Sequence, residues 1–398
     1  MSTTTPSSTS SPTPSEPEPA ALDSPQPAVP DSPTPSQAPI EPGSQNPPLV
    51  EIWAGDGSPD IDPSTLPLGT AAWMQEASAG KGEDARPLVL RHPDREVYFL
   101  AVLDGMGGAG AARHVVGNQT LTGAAIAARA CARAIEAWFQ GSPAEAWTSV
   151  LAGDPAPLTA ALQRTMDTLP AAFERGTGSL IKSRMIKRFP TTLAAMAVER
   201  TATGSSAICF SAGDSRCYRI SNAHGLQQLT KDDLRDDIDP FANLGDDGVL
   251  SRMISASEPV RLTASRFPDG DGDDLYFCAT DGVFHYWQSP MQFAYRAMRI
   301  LIDENRPELG GNLAVRWAAG LRAAVSPVTA DDHSLAAVLL ADSTQSPATL
   351  GREPAFVYLL RRLHDCDRLE RRTDLAALQR IWDAYRTNYC AYLATGTP

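Results

Sequence analysis

Three acidic residues stand at the ends of apolar segments that have the composition of buried strands. The segment VYFLAVL (97–103) runs into Asp104-Gly105, LYFCAT (275–280) runs into Asp281-Gly282, and AICFSAG (207–213) ends at Asp214. A strand end is a rigid support, and a following glycine lets the backbone approach a ligand closely. Each of these positions is therefore suited to presenting a carboxylate to a bound ion.

Two further acidic pairs flank strand-like segments. Glu83-Asp84 precedes the first hairpin and Asp331-Asp332 precedes the last strand. An isolated Asp-Gly after a strand is usually only a turn, but five acidic sites that converge would repel each other. Two carboxylates ~4 Å apart repel by about 4 kcal/mol at an effective dielectric constant of about 20. The pattern therefore predicts a cation, and oxygen ligands of this kind suit Mg²⁺ or Mn²⁺. Asp104 would face the metal, and the Gly105 carbonyl would join it.

The elements that position these residues are mainly short strands. The runs ARPLVL (85–90) and VYFLAVL, separated by the charged turn RHPDRE, indicate an antiparallel hairpin. Further strand-like runs occupy 191–200, 205–213, 216–221, 226–230, 259–267, 273–282 and 334–341. Helical spacing of apolar residues marks 109–140, 157–175, 289–304 and 311–324. Because the strands do not alternate regularly with helices, the expected fold class is α+β, with antiparallel sheets and helices packed outside.

The chain of 398 residues divides into three regions by composition. Residues 1–48 are rich in Pro, Ser and Thr and have almost nothing to bury, which predicts a disordered tail. Folded structure is expected to begin near LVEIWAG (49–55), so residues 49–342 would form the main domain. Residues 343–398 contain an amphipathic helical pattern over 350–392, which predicts a C-terminal helical appendage that could dock a partner.

Composition excludes several classes of function. The formal charge of −13 argues against nucleic acid and against anionic membrane surfaces as partners. No window is apolar enough for a membrane span, and the start of the chain does not have the pattern of a signal peptide. The six cysteines form no metal-binding pair and several lie in apolar runs, which predicts buried free thiols. We therefore expect a soluble, cytoplasmic protein.

Seven short motifs then bear on function: GEDA (82–85), LDGMGG (103–108), TTLAAM (191–196), AGDSRCYRI (212–220), LTKDD (229–233), ATDG (279–282) and DDHS (331–334). In wording and order they resemble the signatures of the type 2C, metal-dependent (PPM) protein serine/threonine phosphatases. The similarity runs from about residue 50 to 342. Met106, where other branches have histidine, is similar to the bacterial branch.

The resemblance implies an αββα sandwich of two antiparallel sheets with a binuclear Mn²⁺ or Mg²⁺ centre at one end. Carried over by position, it assigns the following roles: Asp104 bridges both metals; Asp281 and Asp331 hold the first; Glu83 and the Gly105 carbonyl hold the second; Asp84 lies behind them; and Asp214, with Asp281, serves a weaker third ion. Asp104, Asp281 and Asp331 would thus be the catalytic carboxylates. Phosphate monoesters hydrolyse very slowly in water, and a two-metal centre can activate water for in-line attack without a covalent intermediate.

Several positions depart from the family's pattern. Ala79 stands where the family usually has a phosphate-gripping arginine, and Lys81 is the nearby candidate for that role, although a lysine is a point charge without a bidentate grip. Lys81 is equally well explained as a solvated loop charge. Pro190 replaces the glycine of the GTT motif and fixes φ. The acidic stretch DDLRDDIDPFANLGDD (232–247) falls where relatives carry a substrate-facing flap; it would favour basic phosphopeptides or be a solvated loop.

Two histidines stand beside the expected metal ligands. His285 and His333 follow Asp281 and Asp331 closely, and either could protonate the leaving hydroxyl. Structural histidines are commoner than catalytic ones, so a structural role is the alternative for both residues.

The leading hypothesis is a metal-dependent phosphatase acting on phosphoserine and phosphothreonine in proteins that a serine/threonine kinase has modified. The alternative, motivated by Ala79 and Pro190, is a catalytically weak or inactive pseudophosphatase that binds phosphoproteins or other partners. A third hypothesis is a metal-dependent hydrolase of small phosphate esters on the same scaffold.

Overall fold

The computed structural model describes residues 61–394, apart from 93, 174–186, 202–203, 237, 245–247, 271–272 and 342–348. These residues lie in one compact unit, Pro47–Pro398. The expected tail at 1–48 and the expected start of folded structure near 49–55 lie outside the described residues.

Two five-stranded antiparallel sheets form the centre of the fold. In the first sheet the order is β1 (Thr70–Gln75), β12 (His333–Leu340), β11 (Asp274–Ala279), β8 (Arg216–Ser221) and β9 (Gly225–Gln228). In the second the order is β10 (Thr263–Gly270), β7 (Gly204–Ala212), β6 (Leu193–Thr201), β3 (Val97–Val102) and β2 (Leu88–Arg91). Between them lies an apolar layer drawn from both sheets, including Leu100, Met196, Tyr276 and Val338.

Helices cover the outer face of each sheet. On the second sheet these are α1 (Gly123–Gly141), α2 (Ala144–Leu151) and α3 (Ala156–Phe173). Towards the first sheet lie the short helices α4 (Pro240–Asn243) and α5 (Asp281–Phe284), followed by α6 (Pro290–Glu304) and α7 (Leu313–Val325). The C-terminal helices α8 (Pro354–Leu363) and α9 (Arg371–Tyr389) share that side. The architecture is therefore the four-layer αββα sandwich that the resemblance implies.

The predicted hairpin is confirmed, because β2 and β3 pair in antiparallel register with Leu88 opposite Ala101. The interpretation of 109–140 as one helix was partly wrong. Residues 113–122 form a separate hairpin of β4 (Arg113–Val116) and β5 (Gln119–Thr122), and α1 begins only at Gly123. The two-residue turn of this hairpin is Gly117-Asn118, with Gly117 at φ 57°. Gly-Asn between two strand-like runs is a hairpin signal, and the Ala-rich helical pattern that follows it obscured this signal.

The C-terminal helices belong to the main hydrophobic core. Phe356, Leu363, Leu378 and Trp382 are fully or almost fully buried in the same cluster as the residues of β8 and α6. The amphipathic pattern over 350–392 correctly predicted helices in this segment. The boundary at residue 343 remains a prediction, and these helices already bury one face against the sheet side.

All six cysteines are free and buried, as expected from their apolar surroundings. Among the helices that the structure describes, none combines the length and the apolar character needed to cross a membrane.

Candidate metal centre

The predicted acidic residues come from both sheets and meet at one end of the sandwich. Asp104 follows β3 of the second sheet, and Asp281 follows β11 of the first as the opening residue of α5. Asp214 lies in the connection from β7 to β8, where the chain passes from one sheet to the other. Asp331 lies two residues before β12, and Glu83-Asp84 lies in the loop between β1 and β2. These residues define what we call the carboxylate pocket.

Glycines allow Glu83 to lie against the loop after Asp104. A Cβ on Gly105 would stand 2.5 Å from the backbone oxygen of Glu83 and 3.0 Å from the carbonyl carbon of Ala124. A Cβ on Gly107 would collide with the Glu83 carboxylate itself. The glycine-rich turn after Asp104 is therefore required for the close approach of a second acidic segment, here the one that carries Glu83.

The turn after Asp281 is built in the same way. A Cβ on Gly282 would collide with the backbone oxygen of Asp332. This glycine lets the start of α5 pack directly on the segment Asp331-Asp332. The two Asp-Gly pairs thus bring neighbouring acidic segments into contact.

Asp84 lies at the base of the pocket and is only 3% exposed. Its Oδ2 accepts hydrogen bonds from the Thr280 hydroxyl at 3.1 Å and from the Ser334 hydroxyl. Its Oδ1 has no hydrogen-bond partner. Burial, with the charges of Asp332 and Asp281 adding to it, raises the pKa of Asp84 well above its usual range. The side chain is therefore fixed by β11 and β12 while one oxygen remains free.

Asp104 is affected electrostatically by three other pocket residues. Burial is the main cause that raises its pKa well above the usual range, followed by the charges of Asp281, Asp84 and Asp214. The backbone is held firmly, because the Asp104 carbonyl accepts from the Thr191 hydroxyl at 2.7 Å and from the Thr192 amide at 2.9 Å. The charges of three residues from other segments, Asp281, Asp84 and Asp214, therefore act on the Asp104 carboxyl.

Asp214 and Asp281 complete the buried side of the pocket. Burial raises the pKa of Asp214 well above its usual range, with the charges of Asp281 and Asp232 adding to it. The Oδ1 atom of Asp281 is buried and has no hydrogen-bond partner. A buried carboxylate oxygen without a donor is costly unless a cation approaches it.

The neighbouring residues Asp331 and Asp332 differ in their surroundings. Asp331 is exposed as a residue, but its carboxyl is partly shielded from water, and this shielding together with the charge of Asp281 raises its pKa to about 6. Asp332 accepts the backbone N–H of Glu83 at 2.6 Å on one oxygen and that of Ala77 at 2.7 Å on the other. Asp332 therefore joins the start of β12 to the loop that carries Glu83, a role that sequence reasoning missed.

Cations stand on the Glu83 side of the pocket. Lys81, the residue proposed from sequence, is exposed two positions before Glu83. Arg113 lies directly across the hairpin from Thr122, whose side chain hydrogen-bonds the Glu83 carboxylate. Side chains opposite each other in an antiparallel pair project from the same face, so Arg113 stands near Glu83. Burial raises the pKa of Glu83, and the Arg113 charge opposes that rise. Once the 113–122 hairpin is recognised, Arg113 becomes visible as a candidate.

Arg129 of α1 contacts the loop that carries Glu83. Its guanidinium donates to the Gly82 carbonyl at 3.0 Å, and burial lowers its pKa. This contact fixes the backbone immediately before Glu83.

The two candidate histidines differ. His333 is 1% exposed, its Nδ1 lies 2.9 Å from the Asp331 carbonyl, and its ring packs edge-on against Trp73. Burial lowers the pKa of His333, so this geometry favours a structural role. His285 is half-buried one turn after Asp281 and beside Tyr286. The acid role for His285 remains a prediction.

The KDD motif forms a buried ion pair behind Asp214. Asp232 binds Arg216 through both oxygens, at 2.8 and 2.6 Å, and the Arg216 guanidinium lies 4.0 Å from the centre of the Phe284 ring in α5. Asp233 accepts the Gly213 amide at 3.0 Å and pairs with Arg252. These contacts brace the Asp214 turn and α5 together.

The donor set fits a hard divalent cation. The pocket offers carboxylate and carbonyl oxygens, and unpartnered oxygens of Asp84 and Asp281 lie within it. Among the residues that the structure describes, no three His, Cys, Asp or Glu side chains are arranged closely enough to hold an ion as they stand. The fit therefore rests on the chemistry of the oxygens and on their convergence.

Comparison with known proteins gives matches among solved structures. No protein-family model and no curated protein sequence matches the chain. The catalytic domain of the serine/threonine phosphatase PstP, in complex with two manganese ions, is 19% identical, with 69% of this chain and 98% of that chain covered and a TM-score of 0.44. Stp1 from Staphylococcus aureus is 14% identical (69% and 96% covered, TM-score 0.46). The PPM phosphatase MsPP from Mycobacterium smegmatis is 18% identical (69% and 98% covered, TM-score 0.42).

The chain resembles the PPM-type serine/threonine phosphatases. The likeness covers more than two thirds of this chain and nearly all of each neighbour. The activity, the metal ions and the substrates of the neighbours remain properties of those proteins.

Proposed function

We propose that the protein is a metal-dependent protein serine/threonine phosphatase. The observation that supports this most directly is the carboxylate pocket, in which burial and, after it, the charges of neighbouring acidic residues raise the pKa values of Asp84, Asp104, Asp214 and Asp331. A set of charges that repel one another is costly unless it serves to bind cations. The motif order and the αββα fold point to the same function.

The residues that would hold two Mn²⁺ or Mg²⁺ ions are Glu83, Asp104, the Gly105 carbonyl, Asp281 and Asp331, with Asp84 and Asp214 beside them for orientation or a weaker third ion. When bound, such ions would activate a water molecule and neutralise phosphoryl oxygens during in-line attack.

The chain's own residues would contribute rigidity and charge. Thr191, Thr192 and the α5 contacts hold the strand ends, so the oxygens of Asp104 and Asp281 do not need to reorganise. Arg113 and Lys81 are the cations on the open side of Glu83, where a substrate phosphate would enter. Of the two, only Arg113 can form a bidentate pair with phosphate.

The test is hydrolysis of p-nitrophenyl phosphate and of a phosphothreonine peptide by the purified chain. We expect turnover with Mn²⁺ or Mg²⁺, loss of turnover in EDTA and loss in Asp104→Asn. The matched control is Asp303→Asn, because Asp303 is a half-exposed residue of α6 whose carboxylate pairs with Arg299. Activity that persists in EDTA would contradict the proposal.

A pseudophosphatase that binds phosphoproteins is the second candidate. It is favoured by Ala79, by Pro190 and by the absence, among the described residues, of three acidic side chains at ligand spacing. Calorimetric titration with Mn²⁺ separates the two. Metal binding together with turnover supports the phosphatase, and phosphopeptide binding without turnover supports the pseudophosphatase.

The proposed substrates are phosphorylated proteins, and the proposed location is the cytoplasm. A phosphopeptide hydrolysed much faster than phosphorylated metabolites would separate this reading from a hydrolase of small phosphate esters. Partner docking through the C-terminal helices also remains a proposal. A groove of about 620 Å³ lies there, with Leu359, Leu363 and Ile381 among its lining residues and Arg362, Arg368 and Arg380 among its charged ones.

A further inference from the structure

The Asp239 carboxylate joins helix α9 to α4 through hydrogen bonds. The indole N–H of Trp382 donates to Oδ2 of Asp239 at 3.0 Å, and the Arg386 Nε lies 3.5 Å from the same oxygen. The other oxygen, Oδ1, accepts the amides of Phe241 at 3.1 Å and Ala242 at 3.0 Å. Asp239 is therefore both the N-cap of α4 and its link to the C-terminal helix.

Ring contacts reinforce the same junction. Trp382, fully buried, stacks on Phe241 of α4 with 6.0 Å between the ring centres and 19° between the planes. The Arg371 guanidinium, from the first turn of α9, lies 4.7 Å from the centre of the Phe241 ring. α4 is thus held by one end and one face of α9.

The opposite end of α4 is joined to the carboxylate pocket. Asn243, its last residue, donates to Asp232 Oδ2 at 3.2 Å, and Asp232 is the partner of the buried Arg216. Arg216 follows the Asp214 turn and packs on Phe284 of α5, the helix that begins at Asp281. A continuous series of contacts therefore runs from Trp382 to the pocket by way of Asp239, α4 and the Asp232–Arg216 pair.

α9 has other anchors that do not involve Asp239. The Tyr385 hydroxyl donates to the Leu226 carbonyl at 3.0 Å, and the Gln227 amide donates to the Asn388 carbonyl at 3.0 Å, both on β9. Loss of the Asp239 contact would therefore leave α9 attached to the sheet. The loss would affect α4, because its N-cap residue Asp239 would no longer be bound to α9.

We propose that Asp239 and Trp382 are positioning residues through which the C-terminal helix holds α4 against the carboxylate pocket. α4 lies in the acidic segment 232–247, which the resemblance places at the substrate-facing side. The inference rests on the proposed function for its catalytic consequence, but the mechanical link is independent of it. A large phosphopeptide would depend on this support, and a small aryl phosphate would not.

The test uses two variants that each remove the hydrogen bond between Trp382 and Asp239. Asp239→Asn retains an oxygen that can cap α4, since Asn is as good an N-cap as Asp, but its amide group cannot accept from Trp382. Trp382→Phe keeps a ring on Phe241 and removes the N–H donor. Asp383→Asn, on the exposed side of α9, is the control for loss of one charge from that helix.

The first measurement is hydrogen exchange of the Phe241 and Ala242 amides in the full-length protein. We expect exchange about tenfold faster in either variant, the size expected for loss of one hydrogen bond to a charged group, and no change in Asp383→Asn. Because both variants remove the same Trp382–Asp239 hydrogen bond, the effect of the double variant should be smaller than the product of the two single effects. Unchanged exchange in both single variants would overturn the inference, whether or not the protein is a phosphatase.

The second measurement compares two substrates with Mn²⁺ present. We expect the phosphopeptide KM to rise about fivefold, with kcat and the kinetics on p-nitrophenyl phosphate unchanged. Faster exchange with an unchanged phosphopeptide KM would contradict the positioning role. A wild-type protein without any phosphatase activity would contradict the proposed function, and the exchange result would still decide the link between α9 and α4.

Discussion

Asp332 binds the backbone N–H of Glu83 and that of Ala77 with its two carboxylate oxygens, at 2.6 and 2.7 Å. Asp332 directly precedes β12, and Glu83 lies 249 positions earlier in the chain, in the loop between β1 and β2. In this way the loop that carries Glu83 and Asp84 is fixed to the strand that follows Asp331.

Replacing Asp332 by Ala should destabilise the protein and weaken metal binding. Two backbone donors would lose an ionised acceptor, which we expect to cost about 1–3 kcal/mol of unfolding free energy. Urea denaturation measures the stability and calorimetry measures the Mn²⁺ affinity. Ala77→Gly is the control, since it keeps the amide donor. An Asp332→Ala protein with wild-type metal affinity would show that the clamp does not position Glu83.

The metal-free protein should lose stability as pH rises from about 4 to 7. Asp84, Asp104 and Asp214 have pKa values raised well above the usual range, and that of Asp331 is raised to about 6. Each group binds its proton more tightly in the folded chain than in the unfolded chain, so the folded state holds more protons between the ordinary and the raised pKa. Stability therefore decreases with pH across that window.

Thermal unfolding in EDTA across this pH range measures the effect. The slope should be smaller in Asp104→Asn, which removes one of the titrating groups, and saturating Mn²⁺ should abolish it by replacing the protons. Equal slopes for Asp104→Asn and wild type would show that the cluster is not the source of the pH dependence.

Arg113→Ala should raise the KM for phosphate esters more than Lys81→Ala does. Arg113 stands opposite Thr122, which hydrogen-bonds Glu83, and its fork can bind two phosphate oxygens. We expect the KM to increase about tenfold in Arg113→Ala. In Arg113→Lys the KM should return only part of the way to the wild-type value. Inhibition by inorganic phosphate provides an independent measure, since loss of the Arg113 contact would also weaken the binding of inorganic phosphate. If Lys81→Ala has the larger effect, the sequence-based assignment of Lys81 is the better one.

Phe356→Ala should show that the C-terminal helices are part of the structural core. Its ring is fully buried in the cluster that packs on the first sheet, and such truncations typically cost about 3–5 kcal/mol. Leu375→Ala in α9 is the matched control, because Leu375 is 49% exposed. Denaturant unfolding followed by tryptophan fluorescence measures both. A change below 1 kcal/mol for Phe356→Ala, against an expectation of about 3 or more, would favour an independent appendage.

Local sequence determined most of the elements of this protein. Apolar runs that end in Asp-Gly mark β3 and β11, and the helical spacing of α6, α7 and the C-terminal helices is clear, because these patterns depend on neighbouring residues. The 113–122 hairpin was missed since the Ala-rich pattern of α1 extends up to its edge. The prediction that Asp104, Asp281 and Asp331 supply oxygen ligands also came from residue type and position.

Tertiary structure alone decided which segments meet. The contact of Asp332 with Glu83, the place of Arg113 beside Glu83 and the link from Trp382 through Asp239 to α4 each join residues far apart in the chain. No local pattern encodes such a contact, because it depends on how two sheets and their helices pack. The sequence thus specified the chemical groups, and packing determined which of them act together.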